Sequence, residues 1–333
     1  MSQTSRLDKL LAPPAHSMPD TGPVLALRAT DNSAYSRVSP EQLHPVQSYK
    51  PTSDKLQHRG LFPRLDMPQS ATAAIVELTR SKPENLANIA KAYGVLNIGA
   101  TLYIDGAKTD GIDSILKAVK KIMPLDGTYS KAHGKTLWLS KTGPDNPFAA
   151  WIKLADTTKN KDGFYTTPGI FSADAIDPAS ALLCQNITRP LTGKGADLGA
   201  GWGTLSHYAL QTYPGITHLD LYEAEHISLD CARKNITDAR AELHWQDVQT
   251  LTTKTVYDFI LMNPPFHTSR KADPSLGRDF IVKAAQMLAP KGHLWMVANK
   301  QLAYEAALDN CFHTWSYEIQ TTQYKIIHAR RPK

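Results

Sequence analysis

Asp197-Leu198-Gly199-Ala200-Gly201-Trp202-Gly203 is the stretch that decides the fold. It closes a strand-like segment that begins at Gly195 and leads into a helical pattern over residues 204–211. A strand that passes through a glycine-rich turn into a helix is typical of doubly wound α/β sheets, in which ligands bind beyond the carboxyl ends of the strands. The spacing is G-x-G-x-G, and neither Lys-Ser nor Lys-Thr follows, so a phosphate-cradling loop is disfavoured. A purely structural turn is the alternative.

Alternating strand and helix patterns continue towards the C terminus. We predict strands at 218–223, 242–246, 257–262 and 292–297, helices at 227–236 and 279–288, and a closing antiparallel pair of strands at 315–320 and 324–329. The strands are nearly continuous apolar runs, which indicates a sheet that is buried on both faces. The second half of the chain is therefore predicted to be one α/β domain.

The N-terminal half has a similar strand and helix alternation without a glycine-rich loop. Its first 70 residues are rich in proline and contain one strand candidate, Val24 to Leu27. Further along we predict strands at 73–78, 99–105 and 136–139, with helices at 81–93 and 112–123. Turn formers and charges over 141–165 mark a boundary, so we expect two domains, 1–150 and 151–333.

Composition narrows the class of protein. The chain has 333 residues, of which 42% are hydrophobic and 20% charged, as in soluble globular proteins. It has neither an apolar run long enough for a membrane helix nor a signal-peptide pattern, which predicts a cytoplasmic protein without membrane contact. Cys184, Cys231 and Cys311 are far apart and the twelve histidines are scattered, so we expect neither a disulfide framework nor a metal site.

Net charge is +6 and is unevenly distributed. Residues 1–150 contain 18 Lys and Arg against 13 Asp and Glu, whereas residues 151–333 contain 19 against 18. A basic surface attracts a polyanion without reading its sequence. The first half is therefore a candidate nucleic-acid surface, with an ordinary solvated surface as the alternative.

Two acidic residues at predicted strand ends are candidate cofactor ligands. Glu223 closes the second strand of the C-terminal domain, where a carboxylate can accept the ribose hydroxyls of a nucleoside. Asp247 closes the third strand and suits either an adenine amino group or the N-cap of a helix.

The most specific motif is Asn263-Pro264-Pro265-Phe266, which follows the fourth strand of this domain. Two consecutive prolines form a stiff turn, because neither donates a backbone hydrogen bond. The Asn263 side-chain oxygen and the Pro264 carbonyl can then accept both N–H groups of an exocyclic amine and stabilise the charge that develops on its nitrogen. Phe266 offers a face for stacking a base. His267 suits a general base, with turn packing or a substrate contact as alternatives. Arg270 and Lys271 suit phosphate contacts beside the pocket, or an exposed loop.

Together these motifs resemble a known family. Residues 197–203, Glu223 and residues 263–266 look like motifs I, II and IV of class I methyltransferases that use S-adenosylmethionine (SAM). With Gly169 to Asp177, Asn263 to His267 and Val297 to Asn299, the chain resembles the bacterial ribosomal RNA guanine-N2 methyltransferases. That family comprises methyltransferase C, which is specific for the small ribosomal subunit, and its relative methyltransferase G, which is specific for the large one.

The resemblance implies an α/β fold of two tandem Rossmann-like methyltransferase domains. The first would be degenerate and bind RNA, and the second would be catalytic, with a closing antiparallel hairpin. It implies that SAM contacts the following residues: Asp197, Gly199, Ala200, Gly201, Glu223, Asp247 and Asn263. It assigns the target base to Asn263, Pro264, Pro265 and Phe266. The implied partner is ribosomal RNA, 16S in preference to 23S, or a ribosomal subunit, and the implied state is a monomer without metal.

Three other functions are alternatives to RNA methylation. A protein glutamine N5-methyltransferase has the same Asn-Pro-Pro grip but usually Tyr after the prolines, so Phe266 favours RNA. DNA adenine-N6 methylation is less favoured, because the sequence has no recognisable DNA-reading domain. A non-catalytic RNA-binding assembly factor would not need the intact set Gly199, Gly201, Glu223 and Asn263.

Overall fold

The computed structural model describes residues 5–12, 16–252, 254–265 and 274–333. The chain divides into two compact units, Met1–Thr157 and Thr158–Lys333. Each unit is built around its own main sheet and its own buried apolar clusters. None of the described helices is long and apolar enough to cross a bilayer.

Among its described residues, the first unit has six strands and four α-helices. The strands are β1 (Val24–Leu27), β2 (Leu43–Val46), β3 (Ala71–Glu77), β4 (Leu96–Ala107), β5 (Gly127–Lys131) and β6 (Gly134–Ser140). The helices are α1 (Arg6–Leu10), α2 (Lys50–His58), α3 (Lys82–Val95) and α4 (Ile112–Lys120). The sheet order is β2-β1-β3-β4-β6-β5, in which the first four strands are parallel. Strand β6 pairs antiparallel with β4, and β5 pairs antiparallel with β6.

The predicted alternation of strands and helices in this unit is confirmed from β3 to α4, and β6 includes the strand predicted at 136–139, whereas β5 is not predicted. Ser81 caps α3 as expected, because its hydroxyl accepts a hydrogen bond from Glu84 N. The proline-rich segment is more ordered than predicted, since it also forms β2 and α2. At the carboxyl end of β3, Glu77 is buried and accepts hydrogen bonds from Thr30, Asn32 and Tyr35. Side chains of the unit itself therefore occupy this end of the first sheet.

The second unit has nine strands and five α-helices among the residues described. The strands are β7 (Thr158–Lys159), β8 (Tyr165–Thr166), β9 (Gly193–Leu198), β10 (Ile216–Glu223), β11 (Ala241–Trp245), β12 (Tyr257–Met262), β13 (Leu288–Asn299), β14 (Phe312–Gln320) and β15 (Tyr324–Pro332). The helices are α5 (Pro178–Gln185), α6 (Thr204–Thr212), α7 (His226–Asn235), α8 (Pro274–Met287) and α9 (Glu305–Cys311).

The main sheet of this unit has the order β11-β10-β9-β12-β13-β15-β14. Strands β9 to β13 are parallel, and β14 and β15 form the predicted closing antiparallel pair. The strand order reverses between β9 and β12, where Leu198 and Met262 lie in register. The glycine-rich turn and the Asn-Pro-Pro turn therefore leave adjacent strands at the switch point, where open α/β sheets bind ligands.

Candidate active site

The glycine-rich turn after β9 has the backbone that the sequence predicts. Gly199, Gly201 and Gly203 have φ angles of 76°, 57° and 94°, a backbone conformation that residues other than glycine rarely adopt. Gly199 N and Ala200 N donate to the carbonyl of Tyr222 on β10, which fixes the turn to the neighbouring strand. A Cβ atom placed on Gly201 would meet no other atom within 4 Å. The turn therefore borders open space in which a ligand fits.

Glu223 at the end of β10 is tied directly to this turn. Its Oε2 accepts a hydrogen bond from Gly201 N at 2.7 Å, and its Oε1 accepts one from Glu225 N at 2.7 Å. Desolvation raises the pKa of this carboxyl group, and these backbone bonds partly offset the increase. Each carboxylate oxygen can accept a second hydrogen bond, so the arrangement fits a ribose diol.

Asp197 at the end of β9 is fully buried. Its Oδ2 accepts a hydrogen bond from Ser206 Oγ at 2.7 Å, while its Oδ1 has no hydrogen-bond partner within the described part of the chain. Burial raises the pKa of Asp197 to about 7. An orphaned buried oxygen beside the glycine turn fits the polar methionine end of a nucleoside cofactor.

Asp247 follows β11 and lies in a turn. Its Oδ1 accepts a hydrogen bond from Gln249 N at 2.9 Å, and its carbonyl accepts one from Thr250 N. Asp247 therefore caps a turn and not the start of a helix, because no helix lies between β11 and β12 among the described residues. Its second carboxylate oxygen remains able to accept from a ligand.

The Asn263 amide is held in one orientation. Its Nδ2 donates to Asp177 Oδ2 at 3.0 Å and to Ser180 Oγ at 2.9 Å. A carboxylate only accepts hydrogen bonds, so the NH2 end of the amide must face Asp177, and Oδ1 faces away from it. Asp177 also caps α5 by accepting from Ser180 N at 2.8 Å. The start of α5 therefore acts as a clamp on Asn263.

Two adjoining cavities meet at this clamp. The first, which we call the glycine cavity, is lined by Phe171, Ser172, Asp177, Ser180, Gly199, Ala200, Gly201, Trp202, Thr204, Leu205 and Asn263. The second, the proline cavity, is lined by Phe171, Asp177, Ala179, Asn263, Pro264, Ala298, Asn299, Leu302, Tyr304 and Tyr324. Phe171, Asp177 and Asn263 line both, so they form the common wall of the two cavities.

The sequence-predicted residues of the proline motif are only partly described. Pro264 is buried and lines the proline cavity, whereas Pro265 is exposed. Phe266, together with His267, Arg270 and Lys271, lies outside the described residues.

Sequence reasoning did not identify the roles of Asp177, Ser180 and Phe171. The ring of Phe171 is exposed although it borders both cavities, and its carbonyl accepts a hydrogen bond from the buried Trp202 Nε1 at 3.0 Å. An exposed aromatic side chain on a cavity wall is a signal that only the structure provides.

A Rossmann-like sheet with a glycine turn and an amide clamp at its switch point defines a class I SAM-dependent methyltransferase. The chain belongs to the Methyltransferase small domain family, whose sequence profile matches residues 161–328.

Curated relatives extend the similarity beyond this domain. The chain is 28% identical over 262 residues to a protein of Psychromonas ingrahamii named ribosomal RNA small subunit methyltransferase C, covering 76% of this chain and 74% of the relative. A protein of the same name from Photorhabdus laumondii is 26% identical over 327 residues, covering 95% and 94%.

A solved structure shows the same fold. The 16S rRNA N2 methyltransferase RsmC of T. thermophilus, in complex with AdoMet and guanosine, superposes with a TM-score of 0.79 at 22% identity, covering 98% of this chain and 90% of that one. The expected architecture of two Rossmann-like methyltransferase folds is thereby confirmed.

Proposed function

We propose that this protein methylates the exocyclic N2 amine of a guanine in ribosomal RNA, in 16S rather than 23S rRNA. The names of the curated relatives and the guanosine in the T. thermophilus complex support this substrate. On this proposal the protein acts in the cytoplasm, as a monomer, on ribosomal RNA or a ribosomal subunit. The reaction requires no metal, because the sulfonium of bound SAM already activates the methyl group.

The cofactor would occupy the glycine cavity. Gly199, Ala200 and Gly201 provide the backbone wall of this cavity. Asp197 and Glu223 do not line it; they lie at the ends of β9 and β10 beside the glycine turn, and we assign the Asp197 carboxylate to the methionine part and the Glu223 carboxylate to the ribose. We assign Asp247 to the adenine as the least direct of these contacts, because one of its oxygens already caps a turn.

The target base would occupy the proline cavity. Asn263 Oδ1 and the Pro264 carbonyl accept the two amine N–H groups, which favours a nitrogen whose lone pair points towards the glycine cavity. These oxygens also stabilise the positive charge that develops on nitrogen as the new bond forms. Phe171, on the wall of this cavity, offers an aromatic face for the ring of the base, and stacking is typically worth about 1–3 kcal/mol for each base. The stacking role of Phe266 rests on the sequence motif alone.

The observation that carries this proposal is the orientation of Asn263. With its NH2 group committed to Asp177 and Ser180, only an acceptor oxygen remains for a ligand. A hydrogen-bond acceptor on the wall between the cavity for the cofactor and the cavity for the base suits an amine, whose nitrogen donates hydrogen bonds and must lose a proton after methylation. It suits a phosphate or carboxylate substrate poorly, because those groups also only accept.

Methylation of ribosomal subunits tests the proposal directly. Small subunits, large subunits and naked rRNA from a strain lacking this gene are incubated with the protein and methyl-labelled SAM. Nuclease digestion and mass spectrometry should then find N2-methylguanosine in 16S rRNA. Label in a protein glutamine would instead identify a glutamine N5-methyltransferase, and absence of label with intact SAM binding would identify a non-catalytic factor.

Asn263→Ala tests the proposed role of the amide in the same assay. Loss of a preorganised acceptor should lower kcat by about a hundredfold or more. The SAM dissociation constant, measured by calorimetry, should change little, because the glycine turn and Glu223 remain. A fully active variant would remove the proposed grip on the amine.

A further inference from the structure

A cluster of two imidazoles and two carboxylates lies on one face of the second sheet, at its edge. His218 and Asp220 alternate on β10, and Glu242 and His244 alternate on β11. Asp220 lies directly opposite Glu242 in the parallel register, and β11 is the edge strand. Residues paired in this way point to the same face of a sheet, so all four side chains converge.

The polar atoms of the cluster are close together. Asp220 Oδ1 lies 2.6 Å from His244 Nε2 and 3.0 Å from His218 Nε2. The Glu242 oxygens lie 3.9 Å from His218 Nε2 and 4.0 Å from His244 Nε2. One ligand atom each from His218, Asp220 and Glu242 can be chosen so that all three lie within 4.8 Å of one another. His244 is not part of this compact group and joins it through its contacts with Asp220 and Glu242.

We propose that His218, Asp220, Glu242 and His244 form a structural site for a divalent transition-metal ion of the Zn²⁺ type. Zinc binds histidine nitrogen and carboxylate oxygen at about 2.0–2.2 Å, which places the ligand atoms of a tetrahedron about 3.3–3.6 Å apart. The observed separations lie on both sides of that range. The exposed Glu242 side chain can adjust freely, and each imidazole carries its proton on Nδ1 when Nε2 binds the ion.

Residues around the cluster already orient its ligands. Tyr257 donates to Asp220 Oδ2 at 2.6 Å and contacts the Tyr222 hydroxyl at 2.8 Å. The Tyr222 ring stacks on the His244 imidazole with centroids 4.8 Å apart. Asp220 itself is 5% exposed. A buried carboxylate with an outer hydrogen-bond partner is the usual support of a protein metal site.

The proposed site is structural and is separate from methyl transfer. Its ligands lie along β10 and β11 before their carboxyl ends, whereas Asn263 follows the carboxyl end of β12. A metal shared by the two strands would fasten the edge strand to its neighbour and stabilise the folded state in proportion to the logarithm of metal concentration.

Cobalt substitution tests this proposal. Tag-free full-length protein is stripped with a chelator and titrated with Co²⁺, which absorbs visible light strongly when it is tetrahedral. We expect one Co²⁺ per chain, displacement by Zn²⁺, and a Tm that rises with metal concentration. Absence of both binding and a Tm change would mean that the cluster is only a hydrogen-bond network, and would overturn the site.

Two variants locate the bound ion. His218→Ala/His244→Ala should abolish the absorption, whereas His58→Ala/His313→Ala, which removes two exposed histidines elsewhere, should leave it unchanged. Because the first variant also breaks contacts to Asp220, Glu242→Gln is measured as well. Glu242 is exposed, so this variant should fold normally and bind Co²⁺ at least tenfold more weakly. Absorption that survives in both ligand variants would assign the ion to another place and reject the proposal.

Discussion

The chemistry of this site depends on which end of one amide faces the ligand. An asparagine can present either two donors or one acceptor, and only its neighbours decide between them. Asp177 and Ser180 decide it here, since both accept from Asn263 Nδ2. The same Asp177 oxygen also caps α5, so a single carboxylate links the start of a helix to the orientation of the amide.

Asp177→Ala should therefore reduce catalysis more than binding. With one of its two acceptors lost, the Asn263 amide samples both orientations, and we expect kcat to fall at least tenfold while the SAM dissociation constant stays nearly constant. The lost cap should also lower the free energy of unfolding by about 1 kcal/mol. Steady-state kinetics, calorimetry and urea unfolding measure the three quantities.

Asp177→Asn is the matched control for that experiment. Asparagine is an equally good cap, and its oxygen can accept from both Ser180 N and Asn263. We expect this variant to retain kcat within a small factor and stability close to wild type. If Asp177→Ala kept full kcat, the clamp would have no role in orienting Asn263.

Asp197 predicts a pH dependence of stability in the cofactor-free protein. Its pKa is about 7 when folded, mainly because of burial, whereas an unfolded aspartate ionises near pH 4. Between these values the folded protein holds a proton that the unfolded chain has released. Stability contributed by this group is therefore present below about pH 4 and is lost as pH rises towards 7.

Asp197→Asn should remove that dependence, because its side chain has no charge to bury. The unfolding free energy of the variant minus that of wild type should be near zero at pH 4 and about 2–4 kcal/mol at pH 8. Urea unfolding at both pH values measures it. Asp174→Asn, at an exposed position, is the control and should show no such trend. A difference independent of pH would mean that Asp197 is ionised throughout.

At the scale of elements, local signals predict some boundaries and tertiary placement decides others. The sequence predicts β12 at its observed bounds because an apolar run ends at a diproline. It does not predict β2, which contains Pro45; interior strands exclude proline, but β2 is the edge strand of its sheet, where proline is tolerated. Helix α5 is also absent from the predicted elements, although Asp177-Pro178 is a typical N-cap and first-turn pair.

The contacts that complete the site are beyond any local pattern. Asp177 and Asn263 are 86 residues apart in sequence, and their hydrogen bond exists only because the fold brings the start of α5 to the turn that follows β12. The cluster on β10 and β11 likewise depends on strand register: the scattered histidines show no metal spacing, yet pairing places Asp220 opposite Glu242. The sequence thus identifies the motifs, whereas the fold supplies the partners that orient them.

At the scale of the whole molecule, charge separates the two units. The excess of basic residues lies in the first half of the chain, while the motifs for chemistry lie in the second. Helix α4 of the first unit has Lys117 and Lys120 exposed, with Ile112, Ile115 and Val119 buried on its other face. This division suits a protein in which one unit holds RNA through its phosphates and the other modifies a base.

Lys117→Glu/Lys120→Glu should consequently weaken RNA binding without affecting the cofactor. Each lost phosphate contact reduces the slope of log affinity against log salt by about 0.7–0.9, so the double variant should flatten it by about 1.4–1.8. Lys194→Glu/Lys291→Glu is the control, because it changes net charge equally at exposed positions of the second unit. Both lysines lie near the amino ends of their strands, β9 and β13, whereas the site lies beyond the carboxyl ends. Binding of a 16S rRNA fragment across a salt series, with SAM affinity measured in parallel, compares them. Equal RNA affinity of the α4 variant and wild type at low salt would show that these lysines are only solvated. Equal losses of RNA affinity in both variants would show that RNA binding responds to net charge and not to the first unit.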